Sequence, residues 1–143
     1  MDKVTATSDT YPVEVVSGPT VTLYRCGIAS ETIQDEVEGT TRTIYRYTEY
    51  RFLPGEYERM LEGILPAGAS WDESLHEKYR NTLHRKTDDL YSEAYRCRRV
   101  ATDDAATAWD EYITALDNWN AKVSAMAKKM TTKVPELPTK PTA

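Results

Sequence analysis

Phenylalanine occurs once in this 143-residue chain, cysteine twice and histidine twice, and neither glycine nor proline interrupts residues 70–134. Cys26 and Cys97 lie too far apart for a metal-binding pair and are too few for a disulfide framework, so each reads as a half-buried or bystander thiol. Long apolar runs are missing as well. The longest spans only a few residues, far below the roughly 20 that cross a bilayer, and Met1-Asp2-Lys3 leads into polar Thr and Ser instead of a signal core. No membrane partner is expected, and the product is expected to start in the cytosol. Basic residues do not outnumber acidic ones anywhere on a large scale: the net charge is -5, with about five excess acids before Ser70 and a balance after it. Nucleic acid, which needs Lys and Arg gathered on one face, is therefore not an expected partner.

Chemical signatures are equally sparse. No glycine-rich phosphate loop, Cys–His pairing or nucleophile elbow occurs. His76 and His84 stand eight apart with only Glu73 and Glu77 as nearby carboxylates, which reads as a solvated stripe and not as a metal site. The paired acids Asp35-Glu36, Asp88-Asp89 and Asp103-Asp104 are adjacent in sequence and so diverge on a helix or strand, leaving no frame for two-carboxylate hydrolysis. Catalytic residues, metal ligands and cofactors are all expected to be none.

What is present is aromatic and periodic. Ten tyrosines against one phenylalanine suit thin sheets and interfaces, because tyrosine covers apolar surface while keeping a polar tip wet. Over residues 105–130 the apolar positions Ala105, Trp109, Tyr112, Leu116, Trp119, Val123, Met126 and Met130 alternate steps of four and three. Such a heptad seam is narrower than an ordinary helix face and needs a partner helix along its length. The rings on it read first as the core of a pair of helices, packing on Trp71, Leu75, Tyr79 and Leu83. The second reading makes part of the seam a binding face for another chain.

Earlier residues read as a small sheet. Residues 1–10 lack periodicity and suggest an arm. Residues 11–16 suggest an edge strand with an early proline, and residues 20–26 (TVTLYRC) form the clearest strand, ended by Gly27. Residues 28–37 are polar and acidic, either an outer strand or a turn of helix. Glu38-Gly39 reverses the chain into residues 40–53 (TTRTIYRYTEYRFL), a long strand pairing with 20–26. Its Arg42, Arg46 and Arg51 among Tyr45, Tyr47 and Tyr50 resemble a stacking platform for single strands, but excess acid and alternation onto two faces favour plain sheet pairing. A covering helix follows over residues 56–65, with Tyr57, Met60, Leu61, Ile64 and Leu65 on one side.

Ser70 and Glu73 form a capping box that starts a helix, and Trp71, Leu75, Tyr79, Leu83, Leu90, Ala94, Cys97 and Ala101 continue one apolar line through Thr87. That line slips by one position between Ala101 and Ala105, where Arg96, Arg98 and Arg99 suit a helix end and Thr102-Asp103-Asp104 a helix start. The slip favours a helical hairpin over one helix of about 90 Å. After Met130 three prolines force an extended tail. The expected class is α+β: a small N-terminal antiparallel β-sheet with one short helix (1–66), a long helical hairpin (70–134) and an extended Pro-rich tail (135–143).

Trp109, Tyr112, Ala115-Leu116, Trp119 and Val123, followed by Val134-Pro135-Glu136-Leu137-Pro138-Thr139-Lys140-Pro141, resemble the C-terminal part of bacteriophage tail-fibre assembly proteins, which end in an amphipathic helix and a Pro-rich segment. The resemblance covers roughly the last 40 residues. The N-terminal TVTLYR and EYRFLPGEYERML look like the short strand-rich proteins encoded near tail-fibre genes. The resemblance implies a non-enzymatic phage tail protein that binds a tail-fibre or baseplate protein as assembly chaperone or fibre-associated adaptor. It would act in the host cytoplasm during assembly or as part of the virion tail. The partner-binding residues implied are Trp109, Tyr112, Leu116, Trp119, Val123, Pro135, Leu137 and Pro138. The alternative is a self-associating virion protein whose residues 70–130 form one continuous helix in a homo-oligomeric coiled coil.

Overall fold

The computed structural model describes residues 1–34, 39–126 and 134–142, which form an α+β chain of two compact units, residues 1–70 and 71–143. Residues 35–38, and Met130 at the end of the expected seam, lie outside the described residues.

The first unit is a four-stranded antiparallel sheet of β1 (Asp2–Ser8), β2 (Val15–Ser17), β3 (Thr22–Gln34) and β4 (Thr41–Phe52), in the order β1-β4-β3-β2. The expected N-terminal arm is thus an edge strand. Its Val4 and Ala6 are too small to mark a period, but β4 offers it an open row of N–H and C=O groups, and Asp2 to Ser8 pair with Arg51 to Tyr45. Gly27 does not end β3 as expected. At φ +62 it makes a bulge, so the pairing passes from Cys26 opposite Thr48 to Ala29 opposite Arg46, and β3 runs on to Gln34.

One sheet face is aromatic. Tyr24 stacks on Tyr50 at 5.9 Å, Tyr50 on Phe52 at 6.4 Å, and Tyr57 from α1 (Glu56–Leu61) meets both Tyr24 and Phe52. Burial holds the Tyr24 phenol well above its ordinary pKa, with Cys26 and Glu14 adding to the shift. The sheet's arginines form ion pairs, and Arg25 also lies over the Tyr47 ring at 5.6 Å. Arg25 and Arg51 both donate to the buried Glu49 carboxylate, and Arg46 and Arg42 pair with Glu31 and Asp9. Helix α1 stops at Leu61, four residues short of expectation, because Gly63 at φ +94 closes a Schellman motif: Gly63 N–H donates to Met60 and Ile64 N–H to Arg59. Ile64, expected on the covering side, is 57% exposed.

In the second unit the apolar line of residues 71–101 is two helices, α2 (Glu73–Arg85) and α3 (Asp88–Val100). The cap of α2 is Asp72, not Ser70; its carboxylate accepts from Leu75 N–H at 2.9 Å. Between the helices Lys86 and Thr87 N–H turn to the carbonyls three residues back, and Thr87 Oγ1 donates to the His84 carbonyl at 2.7 Å. A buried threonine bonding back along the chain bends a helix. Helix α4 (Asp103–Ser124) starts after extended Ala101 and Thr102, with Asp103 at φ +52. A continuous helix over residues 70–130 is therefore overturned.

The bend gives α4 two neighbours. Its first half places Trp109, Tyr112 and Leu116 against Ala94, Leu90 and Cys97 of α3. Further along, Trp119 and Val123 pack with Tyr79 and Leu83 of α2, Met126 completing the cluster with Trp71 and Val134 beside it. Ala105, read as the first seam position, is exposed.

Candidate functional site

All five seam residues named as candidates, Trp109, Tyr112, Leu116, Trp119 and Val123, are buried on α4. Trp109 meets Tyr112 edge-on at 5.8 Å. Of the three candidates in the proline segment, Pro135 and Pro138 are half-buried and Leu137 is exposed. The structure joins the helix to that segment at Trp119, whose indole N–H donates to the Pro135 carbonyl at 2.9 Å. It brings Pro138 beside Tyr112 and Ala115, and leaves Leu137 apart from them.

Residues outside the candidate set complete this surface. Ala108 and Ala115, seven apart, supply flat stretches of helix where rings can approach. Pro138 and Pro141 with Ala108, Tyr112 and Ala115 line a concavity of about 340 Å³, and Pro135 and Pro138 with Ala115, Trp119 and Lys122 line a second of about 240 Å³. Ala115 and Pro138 belong to both, so the two are one groove. At its far end Lys140 Nζ pairs with Glu93 of α3 at 2.6 Å, which raises the lysine pKa. The Tyr112 hydroxyl is buried near that pair, with no hydrogen-bond partner among the described residues. Burial raises its pKa, the Lys140 cation opposes the shift and the Glu93 carboxylate adds to it. No protein-family model, curated protein or solved structure matches this chain.

A polar network lies on the other flank of α4, and its proton directions follow from the partners. Asn120 Nδ2 donates to the Leu116 carbonyl at 3.0 Å, which turns Oδ1 toward His84 Nδ1 at 2.7 Å. His84 Nδ1 must then carry the proton, and Nε2 accepts from Ser124 Oγ at 3.2 Å. Thr87 Oγ1 has given its proton to a carbonyl and Tyr91 its own to Asp117 at 2.6 Å, so both oxygens accept, sharing the two Asn120 Nδ2 protons with the Leu116 carbonyl. Burial pushes the Tyr91 phenol up to about 12, with the Asp117 hydrogen bond next in weight.

His84 is thus half-buried and His76 only 1% exposed, edge-on to Trp71 at 6.0 Å, so the expected solvated stripe is overturned. The physical reason is that the bend at Thr87 turns His84 onto α4, while His76 lies on the inner side of α2 with Leu75 and Tyr79. Thr87 on an otherwise apolar line was the one sequence signal of this network. A serine donating to an oriented imidazole has the first parts of a nucleophile relay. Here the neighbouring group held in place is the Ser124 carbonyl, which accepts from Arg80 at 3.0 Å, and a carbonyl end of a helix disfavours an oxyanion. The arrangement fastens the ends of α2 and α4 together. Among the described residues no three His, Cys, Asp or Glu side chains converge as a metal set, and no helix is long and apolar enough to cross a membrane.

Proposed function

We propose that this chain is a non-enzymatic bacteriophage tail protein that binds the tail fibre as an assembly chaperone or fibre-associated adaptor. In this reading residues 70–134 act as a helical hairpin and residues 135–143 as an extended Pro-rich tail. A tail-fibre or baseplate protein would be engaged at the α4 groove, during assembly in the host cytoplasm or within the virion tail. The observation that carries the reading is the bond from the Trp119 indole to the Pro135 carbonyl. It ties together the two features on which the resemblance rests, an aromatic helix and a proline segment, as parts of one surface.

Light scattering coupled to size exclusion tests it, on the chain alone and with a tail-fibre fragment. A monomer near 16.3 kDa that moves into a complex with the fragment is the expected result. A stable homo-oligomer indifferent to the fragment overturns it in favour of a self-associating structural protein.

A further inference from the structure

Pro135, Pro138 and Pro141 recur at every third residue. Three residues is also the turn of a polyproline II helix, the state proline's fixed φ favours and one that leaves its carbonyls free to accept from elsewhere. Burial follows that period: the three prolines are half-buried, whereas Glu136, Leu137, Thr139 and Lys140 are exposed.

The helix surface beneath has a matching repeat. Trp119 and Tyr112 are seven residues apart, as are Ala115 and Ala108. Seven residues of α-helix advance about 10.5 Å, and three residues of polyproline II about 9.3 Å. Two proline steps, about 18.6 Å, therefore span much the same length as the helix from Trp119 back to Ala108, about 16.5 Å, with the segment running antiparallel to α4. Pro135 lies by Trp119 and Pro141 by Ala108. Three further features set orientation. The Trp119 N–H donates to the Pro135 carbonyl, Glu93 takes the lysine before the last proline, and open volume remains along the groove between prolines and helix. An indole N–H on the backbone carbonyl of a proline segment, beside aromatic walls, is how proline-rich ligands are read in general.

We infer that this α4 face is a receptor for a segment of another protein with proline at every third residue and a basic residue before the last one. Residues 134–142 are its occupant in cis, and a segment in trans replaces them. The inference rests on the reading of that face as an interface, and names the chemistry of the partner. It does not require the partner to be a fibre.

The test uses the full chain and a fluorescent peptide, Val-Pro-Glu-Leu-Pro-Thr-Lys-Pro-Thr, followed by anisotropy. A tethered occupant competes at about millimolar effective concentration, so the chain is also prepared with Pro138→Ser and Pro141→Ser to weaken it. The doubly substituted chain is expected to bind the peptide at least tenfold more tightly than the unaltered chain. Adding Trp119→Phe to it is expected to cost about fivefold, the equivalent of one neutral hydrogen bond. A peptide with its lysine changed to glutamate should bind more weakly whatever the folding of the Trp119→Phe protein. Absence of binding to the doubly substituted chain overturns the inference, as does equal binding of a peptide with every proline changed to alanine. If the unaltered chain is a dimer that the peptide splits into monomers, the occupant is a second copy, which also overturns it. Peptide binding without fibre binding removes only the functional reading; fibre binding without peptide binding removes only this one.

Discussion

The sheet unit and the helical unit use aromatic rings in opposite ways. In the first, Tyr24 of β3 stacks on Tyr50 of β4, Tyr50 on Phe52, and Tyr57 of α1 meets Phe52 edge-on. Tyr24 meets Tyr50 through strand pairing, so a change of register moves these rings to the other face, while Tyr57 closes over them from α1. In the second, Trp109, Tyr112 and Trp119 are spaced along one helix and pack among aliphatic side chains such as Ala94, Leu83 and Val123 as well as on rings, Trp109 meeting Tyr112 edge-on. Their polar tips then decide what else attaches, and the Trp119 indole holds the proline segment. The same residue type builds a core where partners are rings. It leaves a groove where partners are alanines and prolines.

The largest effect that sharpens this contrast is expected from Phe52→Ala. It empties a fully buried site between Tyr50 and Tyr57 and should cost about 3–5 kcal/mol, read by urea unfolding with near-ultraviolet circular dichroism. Asn120→Ala comes next. It strips His84 Nδ1 of its acceptor and the buried Thr87 and half-buried Tyr91 oxygens of their donor, at about 1–3 kcal/mol, with helical ellipticity as the readout. An unchanged midpoint would break the claim that the network fastens α2 to α4.

Gly27→Ala should cost about 1–2 kcal/mol from backbone strain at φ +62 alone, since a methyl there meets nothing closer than Thr48 Oγ1 at 4.0 Å. The check is whether amide exchange quickens in Ala29 to Gln34, beyond the bulge. Trp119→Phe keeps a ring in the helical core but removes the donor to Pro135, a loss of about 1 kcal/mol. Faster amide exchange in residues 134–142 with helicity kept is the expected outcome; collapse of both would mean that the indole matters as core filling.

The remaining test concerns pH. Tyr91 is neutral while protonated, and its folded pKa of about 12 lies above the unfolded value of about 10. The folded chain keeps a proton that the unfolded chain gives up in that window. Its contribution is therefore complete below about pH 10 and is lost as pH rises toward 12. Phenolate absorbance should show a late component, to which Tyr24 also contributes, that Tyr91→Phe diminishes by one phenol.

How much could be read in advance differs between the units for physical reasons. Strand β4 and the core of β3 were legible from their Thr, Tyr and Ile content, and α4 from its stepwise spacing. Strand β1 was not, because its stability comes from a β4 edge more than thirty residues away. The division of α2 from α3 was hidden because Thr87 sits in register and bends the chain through a hydroxyl that periodicity does not register. At the site, the seam and the prolines were visible as two patterns. Their connection was not, since a hydrogen bond between residues sixteen apart leaves no periodic trace.

The sequence by itself determined the α+β class, the strands rich in β-branched and aromatic residues and the heptad of α4. These follow from local steric preference and from which side of a helix or strand is apolar. Only the tertiary structure decided that Gly27 bulges where a stop was expected, that both histidines turn inward and that the indole of Trp119 meets the carbonyl of Pro135. Each of these depends on a partner from a distant part of the chain, and local preference carries no information about which partner arrives.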